Sequence, residues 1–278
     1  MEKDNILNLR GLSLLYNNKE MAKQMVEEIF ENSSYFFETK RKTPLIIDAG
    51  SNIGVATLFF KSIYKDAKIL CFEPDPNSFA LLKQNIIRNH LTDVSLYNKA
   101  VAGIEGKIKF YGHISSKVPY SCGNSIIRSW GEQRNIDDND YLRQNSIYVQ
   151  AVKLSSYIDS NVVDFLKLDI EGAERQVLEE LQDKLELIKA MSIEVHCTTD
   201  KEFNDHLNSI VFILRKYNFE FEIIEKNNNY IFPAQTLAWV KRKKPKLFEI
   251  RACKKNENKV ITTDDQQNTG IIKMSCCL

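Results

Sequence analysis

Short apolar runs alternate with longer amphipathic runs from residue 45 onward. The short runs have the length of buried strands, and the longer runs have the spacing of helices with one apolar face. Strands that alternate with such helices form a mostly parallel sheet covered on both faces, so we predict an α/β fold. The predicted strands are 45–49, 68–73, 94–98, 163–169, 190–196, 219–225 and 236–241, and the predicted helices are 54–64, 76–89, 172–182 and 201–217.

Two segments outside this alternation carry patterns of their own. Apolar residues recur at helical spacing over 19–31, so we predict that 1–43 is an N-terminal helical extension, which either shapes the ligand site or only packs. The polar stretch 112–146 lies between strand-like runs at 107–111 and 147–153. A polar insertion of this length is more often functional than not, so we predict a lid over the active site, with a disordered surface loop as the alternative.

The C-terminal region divides into a hairpin and a tail. The segment 226–235 is too short for a helix, so the last two predicted strands form an antiparallel hairpin at the edge of the sheet. After 241 the chain is basic and then polar, which predicts a disordered tail over 242–278. The main domain is therefore predicted over 44–241.

Composition narrows the class of protein only modestly. The 278 residues are 43% hydrophobic and 27% charged, with a formal net charge of +1, so the overall charge does not favour nucleic acid or membrane binding. No apolar run approaches the roughly 20 residues that cross a bilayer. None of the six cysteines forms a C-x-x-C pair, which disfavours a zinc ribbon. These features predict a cytoplasmic soluble protein.

The stretch from Leu45 to Thr57 is the most informative part of the sequence. An apolar strand ends at Asp48, and Gly50 and Gly54 follow before a helix begins. Such a turn lets a ligand approach the backbone, because glycine has no Cβ and tolerates positive φ. The spacing is G-x-x-x-G and not the G-x-G-x-x-G of dinucleotide sites, and an anion at the loop would repel a pyrophosphate. This favours a nucleoside cofactor without phosphate, most plausibly S-adenosylmethionine.

A second acid, Glu73, ends the next predicted strand. An acid at this place in a nucleotide-binding sheet lies beside the ribose, because a carboxylate accepts both hydroxyl protons. Pro74 stiffens the following turn, and Asp75 can cap the next helix. Glu73 is therefore the predicted ribose ligand.

Two further strand ends carry polar residues with chemical potential. Asp169 and Glu171 follow one strand, while Glu194 and His196 share a face of the next. These groups could accept a proton or hold a metal ion, although a structural role for His196 is equally compatible with the sequence. Glu174 is predicted to be a solvated or helix-capping acid.

Five motifs follow one another along the chain, at 47–54, 72–76, 98–101, 167–174 and 194–196. Together they resemble the FkbM family of S-adenosylmethionine-dependent methyltransferases. The resemblance covers about 45–241, and its most distinctive block is Asp-Ile-Glu-Gly-Ala-Glu. It implies a Rossmann-like class I methyltransferase fold, with a seven-stranded mostly parallel sheet and an antiparallel final hairpin. Gly123-Asn124-Ser125 in the polar insertion also resembles a family element near the active site.

The resemblance implies methylation of a hydroxyl on a sugar, glycan or other small molecule. The absence of an Asn/Asp-Pro-Pro-Tyr/Phe motif favours oxygen over nitrogen as the acceptor. Three alternatives stay open: an RNA methyltransferase that uses the basic tail, a nucleotide-binding oxidoreductase, and a non-enzymatic adaptor. Nucleic acid is the less favoured partner, and the oligomeric state is open.

The candidate residues fall into two groups. A divalent metal, held by Asp169, Glu171 and His196 so that it acidifies the hydroxyl, is a second possibility that is not favoured. The predicted catalytic residues are His196, Asp169 and Glu171, and the predicted cofactor-binding residues are Asp48, Gly50, Ser51, Asn52, Gly54, Thr57, Glu73, Pro74, Asp75, Asn98, Ala100 and Asp169.

Overall fold

A seven-stranded sheet forms the centre of the protein. The computed structural model describes residues 5–112, 124–127, 146–197, 200–225 and 246–255. The strands of the sheet are β3 (Leu45–Ala49), β4 (Lys68–Phe72), β5 (Val94–Tyr97), β9 (Val163–Leu168), β10 (Ile188–Cys197), β11 (Phe219–Glu225) and β12 (Lys246–Lys254). Their order is β11-β12-β10-β9-β3-β4-β5.

Five of these strands pair in parallel, and β12 runs in the opposite direction to its two neighbours. β10, β9, β3, β4 and β5 pair in parallel, whereas β12 runs antiparallel to both β10 and β11. The mostly parallel sheet with an antiparallel final hairpin is thus confirmed. The connecting helices also lie where the apolar spacing predicts them: α2 (Val55–Ile63), α3 (Pro76–Arg88), α4 (Glu174–Leu181) and α5 (Asp200–Lys216).

The prediction of a disordered tail is wrong for 246–254, which form β12 inside the sheet. Ile250 and Ala252 on this strand are fully buried in the core. The polar reading failed because Glu249 and Arg251, on the alternate positions, pair with each other through two hydrogen bonds. The predicted strand 236–241 and the remainder of the predicted tail, apart from Lys255, lie outside the described residues.

A smaller sheet flanks the main one. It contains β6 (Ala100–Val101), β7 (Gly106–Tyr111) and β8 (Ser146–Val152), in the order β6-β8-β7. The strand-like runs at 107–111 and 147–153 are therefore confirmed. Of the polar insertion between them, only 124–127 is described beyond the strand ends, and Ser125 forms an isolated bridge with Tyr111. The proposed lid otherwise lies outside the described residues.

The N-terminal segment packs on α2 and α3. A short hairpin, β1 (Ile6–Leu9) and β2 (Leu12–Leu15), precedes α1 (Lys19–Val26), which continues as a π-helical turn, Glu27–Glu31. The helical pattern over 19–31 is thus confirmed, whereas the hairpin was not predicted. The side-chain amides of Asn85 and Asn89 on α3 bond the backbone of Leu15 and Ser13, which fixes the hairpin to the main domain.

Aromatic side chains extend the contact of the N-terminal segment from the helices to the sheet. Phe30 meets Phe59 of α2 edge to face at 5.5 Å, and Phe37 stacks on Phe165 of β9 at 4.8 Å between ring centroids. The segment therefore covers one face of the sheet near the strand ends. No helix among the described residues combines the length and apolar character needed to cross a membrane.

If β12 belongs to the core, replacing Ile250 with Ala should destabilise the protein by about 2–4 kcal/mol, because truncation of a fully buried side chain leaves a cavity. Urea unfolding followed by circular dichroism measures this loss. Ile223 is its cross-strand neighbour on β11 but is 41% exposed, so Ile223→Ala serves as the control and should cost less than about 1 kcal/mol. Equal, small losses in both variants would contradict the placement of β12.

Candidate active site

The candidate site lies at the carboxyl ends of the central strands. β3 has β4 on one side and β9 on the other, so the chain leaves β3 in opposite directions across the sheet. Such a switch point opens a crevice in which ligands of α/β sheets bind. Asp48, Glu73, Asp169 and His196 all lie at this edge, as the sequence predicts.

The glycine loop between β3 and α2 is shaped by close backbone contact. A Cβ atom on Gly50 would lie 1.8 Å from the carbonyl oxygen of Asp169, and Gly50 and Gly54 have φ of 82° and 95°. Gly50 and Ser51 donate their N–H groups to Phe72, and Gly54 donates to Ser51. Because these donors are already satisfied, the loop is not built as a phosphate cradle.

Asp48 is a fully buried carboxylate beside this loop. Its Oδ2 accepts a hydrogen bond from Thr57 Oγ1 at 2.7 Å. Its Oδ1 has no hydrogen-bond donor among the described residues, and the nearest cation, Lys167 Nζ, is 3.6 Å away. Thr57, a predicted cofactor ligand, is itself fully buried, so the structure places it behind Asp48 as a support.

The sequence assigned no role to Lys167, yet it lies at the centre of the site. Its Nζ donates to the carbonyl of Gly50 at 2.8 Å, is 3.1 Å from Asp169 Oδ2 and is 5.6 Å from the ring centroid of Tyr35. Burial lowers the pKa of this ammonium, but the charges of Asp169 and Asp48 outweigh it and raise the pKa overall. The sequence signal was a lysine in the middle of an apolar strand, since such a residue needs buried partners.

Glu73 and Asp75 organise the second half of the crevice. Glu73 accepts hydrogen bonds from the backbone N–H groups of Asn52 and Asp75, both at 2.8 Å. Burial outweighs these bonds and raises the pKa of Glu73 to about 8. Asp75 caps α3 and also accepts from the amide of Asn124 at 3.0 Å. Asn124 of the predicted Gly123-Asn124-Ser125 element therefore reaches the turn between β4 and α3.

Asn98 and Ala100, which are also predicted to bind the cofactor, differ in what their side chains contact. Asn98 donates from its amide to the carbonyls of Glu73 and Pro74, so it fixes this turn. Ala100 lies in β6, and its side chain packs in the core of the small sheet. Only the backbone of Ala100 could therefore contact a ligand.

Four carboxylates surround the imidazole of His196. Nδ1 is 3.1 Å from Glu174, and Nε2 is 3.3 Å from Glu171, 3.5 Å from Glu194 and 3.9 Å from Asp169. Burial lowers the pKa of the imidazole, but Glu171, Glu174 and Glu194 together raise it well above its usual value. For the carboxyl group of Asp169, burial has the opposite effect and raises the pKa to about 7.

Of the two roles predicted for Glu174, a solvated acid is wrong, whereas its contact with backbone N–H groups at the start of a helix agrees with a capping acid. Glu174 is 1% exposed and begins α4, and its Oε1 accepts from the N–H of Gly172 at 2.9 Å as well as facing His196. Ser125 in turn donates to the carbonyl of Glu171, whose φ is +61°. The start of α4, the loop after β9 and Ser125 of the insertion therefore all help to hold the carboxylates around His196 in place.

The sheet order, the glycine loop and the buried acids of β3 and β4 together define a class I S-adenosylmethionine-dependent methyltransferase. The chain belongs to the FkbM methyltransferase family, because the profile of the Methyltransferase FkbM domain matches residues 48–221. Both the family and the fold inferred from the sequence motifs are confirmed.

Three relatives illustrate the range of this similarity. Methyltransferase 1 of Beauveria bassiana is 27% identical over 192 residues, covering 64% of this chain and 74% of that protein. The 31-O-demethyl-FK506 methyltransferase FkbM of Streptomyces tacrolimicus is 25% identical over 229 residues, covering 75% and 86%. The 2-O-methyltransferase NoeI of Sinorhizobium fredii is 23% identical over 150 residues, covering 50% and 58%.

Gly50→Ala should disrupt the donor side of the site, because the added methyl group would overlap the Asp169 carbonyl. We expect a stability loss of about 2–4 kcal/mol from strain and overpacking, together with weakened S-adenosylmethionine binding. Gly106 also has a positive φ, +116°, but has no atom within 4 Å of its Cβ position. Gly106→Ala therefore controls for backbone strain alone, and equal effects of the two changes on thermal unfolding would argue against the close contact.

Proposed function

We propose that this protein transfers the methyl group of S-adenosylmethionine to a hydroxyl of a sugar, a glycan or another small molecule. The observation that carries the donor assignment is the pair of buried acids, Asp48 and Glu73, on either side of a glycine loop with satisfied N–H groups. A cationic, phosphate-free nucleoside fits this arrangement, whereas a pyrophosphate would meet an anion and few free donors.

The donor lies across the switch point in this proposal. Oδ1 of Asp48, which accepts no hydrogen bond from the described residues, receives the ammonium group of the methionine end, directly or through water. Glu73 receives the ribose hydroxyls, with Asp75 and Asn98 fixing its turn. The loop from Gly50 to Gly54 supports the donor between them, and the sulfonium methyl then faces β9 and β10.

The acceptor enters on the side of β9 and β10. Asp169, Glu171 and Glu194 have side chains that are 27%, 19% and 13% exposed, so all three are reachable from the crevice. Carboxylates bind hydroxyl groups well because they accept their protons in hydrogen bonds. The names of the relatives FkbM and NoeI, which specify O-methylation, support a hydroxyl acceptor here.

His196, Asp169 and Glu171 are the proposed catalytic residues. Methyl transfer from a sulfonium is an in-line displacement, so the enzyme must align the acceptor oxygen and remove its proton. Asp169 and Glu171 contact the hydroxyl, and the buried His196 holds both carboxylates in position.

The proposal includes the cytoplasmic location that the sequence predicts. Fractionation of cells that express the tagged chain tests this location.

Calorimetric titration with S-adenosylmethionine tests the donor site. We expect micromolar binding, weakened about tenfold or more by Asp48→Asn and by Glu73→Gln, since each change replaces a carboxyl oxygen that can accept a hydrogen bond with an amide NH₂ group. Glu179→Gln is the control, because Glu179 is an exposed acid on α4 that pairs only with Arg175 among the described residues. Unchanged affinity in both site variants, with normal thermal unfolding, would place the donor elsewhere. Tight binding of NAD instead would favour an oxidoreductase.

Transfer of labelled methyl groups to a panel of sugars, polyols, macrolides and RNA tests the acceptor class. We expect an alkali-stable methyl ether on a sugar or small molecule. Glu171→Gln should lower turnover about 100-fold or more while leaving donor affinity unchanged, because Glu171 lies on the acceptor side of the crevice. Glu179→Gln again serves as the control. Label on RNA alone would refute the small-molecule acceptor.

A further inference from the structure

One imidazole nitrogen and three carboxylates converge at the ends of β9 and β10. Nε2 of His196 is 3.3 Å from Glu171, 3.5 Å from Glu194 and 3.9 Å from Asp169. Asp169, Glu171 and His196 each offer a ligand atom, and these three atoms lie within 4.8 Å of one another.

These separations are close to those between ligands of one ion. Two ligands about 2.1 Å from a metal are roughly 3.0–3.5 Å apart at octahedral or tetrahedral angles. The pairs with Glu171 and Glu194 already have this spacing. Asp169 is the most exposed of the group, so a small rotation of its side chain can close the remaining gap.

The opposite nitrogen of His196 is held as metal-binding histidines usually are. Such an imidazole donates its other N–H to a carboxylate, which fixes the ring and leaves the free nitrogen for the metal. Here Nδ1 is 3.1 Å from Oε1 of Glu174. Glu174 is 1% exposed and accepts the N–H of Gly172, so it cannot turn away from the ring without losing that bond.

Tyr35 of the N-terminal segment borders this cluster. Tyr35 is 4% exposed, and its ring centroid is 5.6 Å from Nζ of Lys167, which is itself 3.1 Å from Asp169. An aromatic side chain therefore closes the crevice on the side of Lys167.

Charge in this region also favours a cation. Four carboxylates lie within 4 Å of the imidazole. Among the described residues, Lys167 is the other buried cation beside this cluster, and it already contacts Asp48 and the carbonyl of Gly50. In that part of the chain, carboxylates therefore outnumber cations around the point where the ligand atoms converge.

We propose that Asp169, Glu171 and His196 bind a divalent cation, beside Glu194, and that this ion binds the acceptor oxygen. The inference rests on the proposed function and deepens it, because it assigns the ion to the same hydroxyl. Hard carboxylate oxygens with one imidazole suit Mn²⁺ or a similar ion. The ion lowers the pKa of the bound hydroxyl.

The chemistry balances with the groups present. The hydroxyl proton passes to the carboxylate of Glu194, and the acceptor oxygen supplies the electron pair of the new O–CH₃ bond. The S–CH₃ bond breaks with its pair remaining on sulfur, which yields S-adenosylhomocysteine. No oxidant or reductant is needed.

Mn²⁺ binding to the full chain after chelator treatment tests the site without donor or acceptor. Electron paramagnetic resonance titration of free Mn²⁺ should reveal one saturable site per chain. Glu171→Gln and Asp169→Asn should each weaken binding at least tenfold, and Glu174→Gln should weaken it about 10- to 100-fold by releasing the imidazole. Glu179→Gln should bind Mn²⁺ like the wild type. Thermal unfolding of each variant confirms that it is folded, and Mn²⁺ should raise the melting temperature of the wild type.

Two results would overturn the inference. One is the absence of saturable binding by the wild type, and the other is binding that none of the three site variants weakens. Failure of the proposed function has a different signature, since Mn²⁺ would then bind as described while S-adenosylmethionine did not. Conversely, donor binding and methyl transfer that persist in chelator-treated protein without Mn²⁺ binding would refute only the ion.

Discussion

The buried ammonium of Lys167 is the interaction on which the site depends. Removing a charged lysine from water costs several kcal/mol, and only close partners offset this cost. Its partners come from three places: Asp48 across the neighbouring strand, Asp169 at the end of its own strand, and the carbonyl of Gly50 in the donor loop. One cation therefore sets the distance between the proposed donor and acceptor sides. Its loss would remove the nearest cation from the fully buried carboxylate of Asp48.

The contact between Gly50 and Asp169 imposes the same constraint through the backbone. The loop after β3 and the segment after β9 approach so closely that no Cβ fits between them. A donor bound on the loop and an acceptor bound beside Asp169 would consequently lie next to each other. This explains how residues distant in sequence form one site at the switch point of the sheet.

Most of the sheet, and the acids at the carboxyl ends of its strands, could be predicted from the sequence. Buried parallel strands that end in acids have a strong local pattern. What failed depended on partners distant in sequence. β12 looked polar because it carries Glu249 and Arg251, and the sequence does not show that these two residues pair with each other. Lys167 looked like one charge in an apolar strand. Thr57 and Ala100 lie near the site in sequence but point into the interior. The packing of Tyr35 over Lys167 needed the three-dimensional path of the N-terminal segment.

The position of β12 between β10 and β11 has a consequence for biosynthesis. β10 carries Glu194 and His196, and it becomes an internal strand only when residues 246–254 pair with it. During translation it therefore remains an open edge until these late residues emerge from the ribosome. An unpaired edge strand of ten residues is a template for aggregation, so a nascent chain that stalls before residue 246 needs a chaperone most.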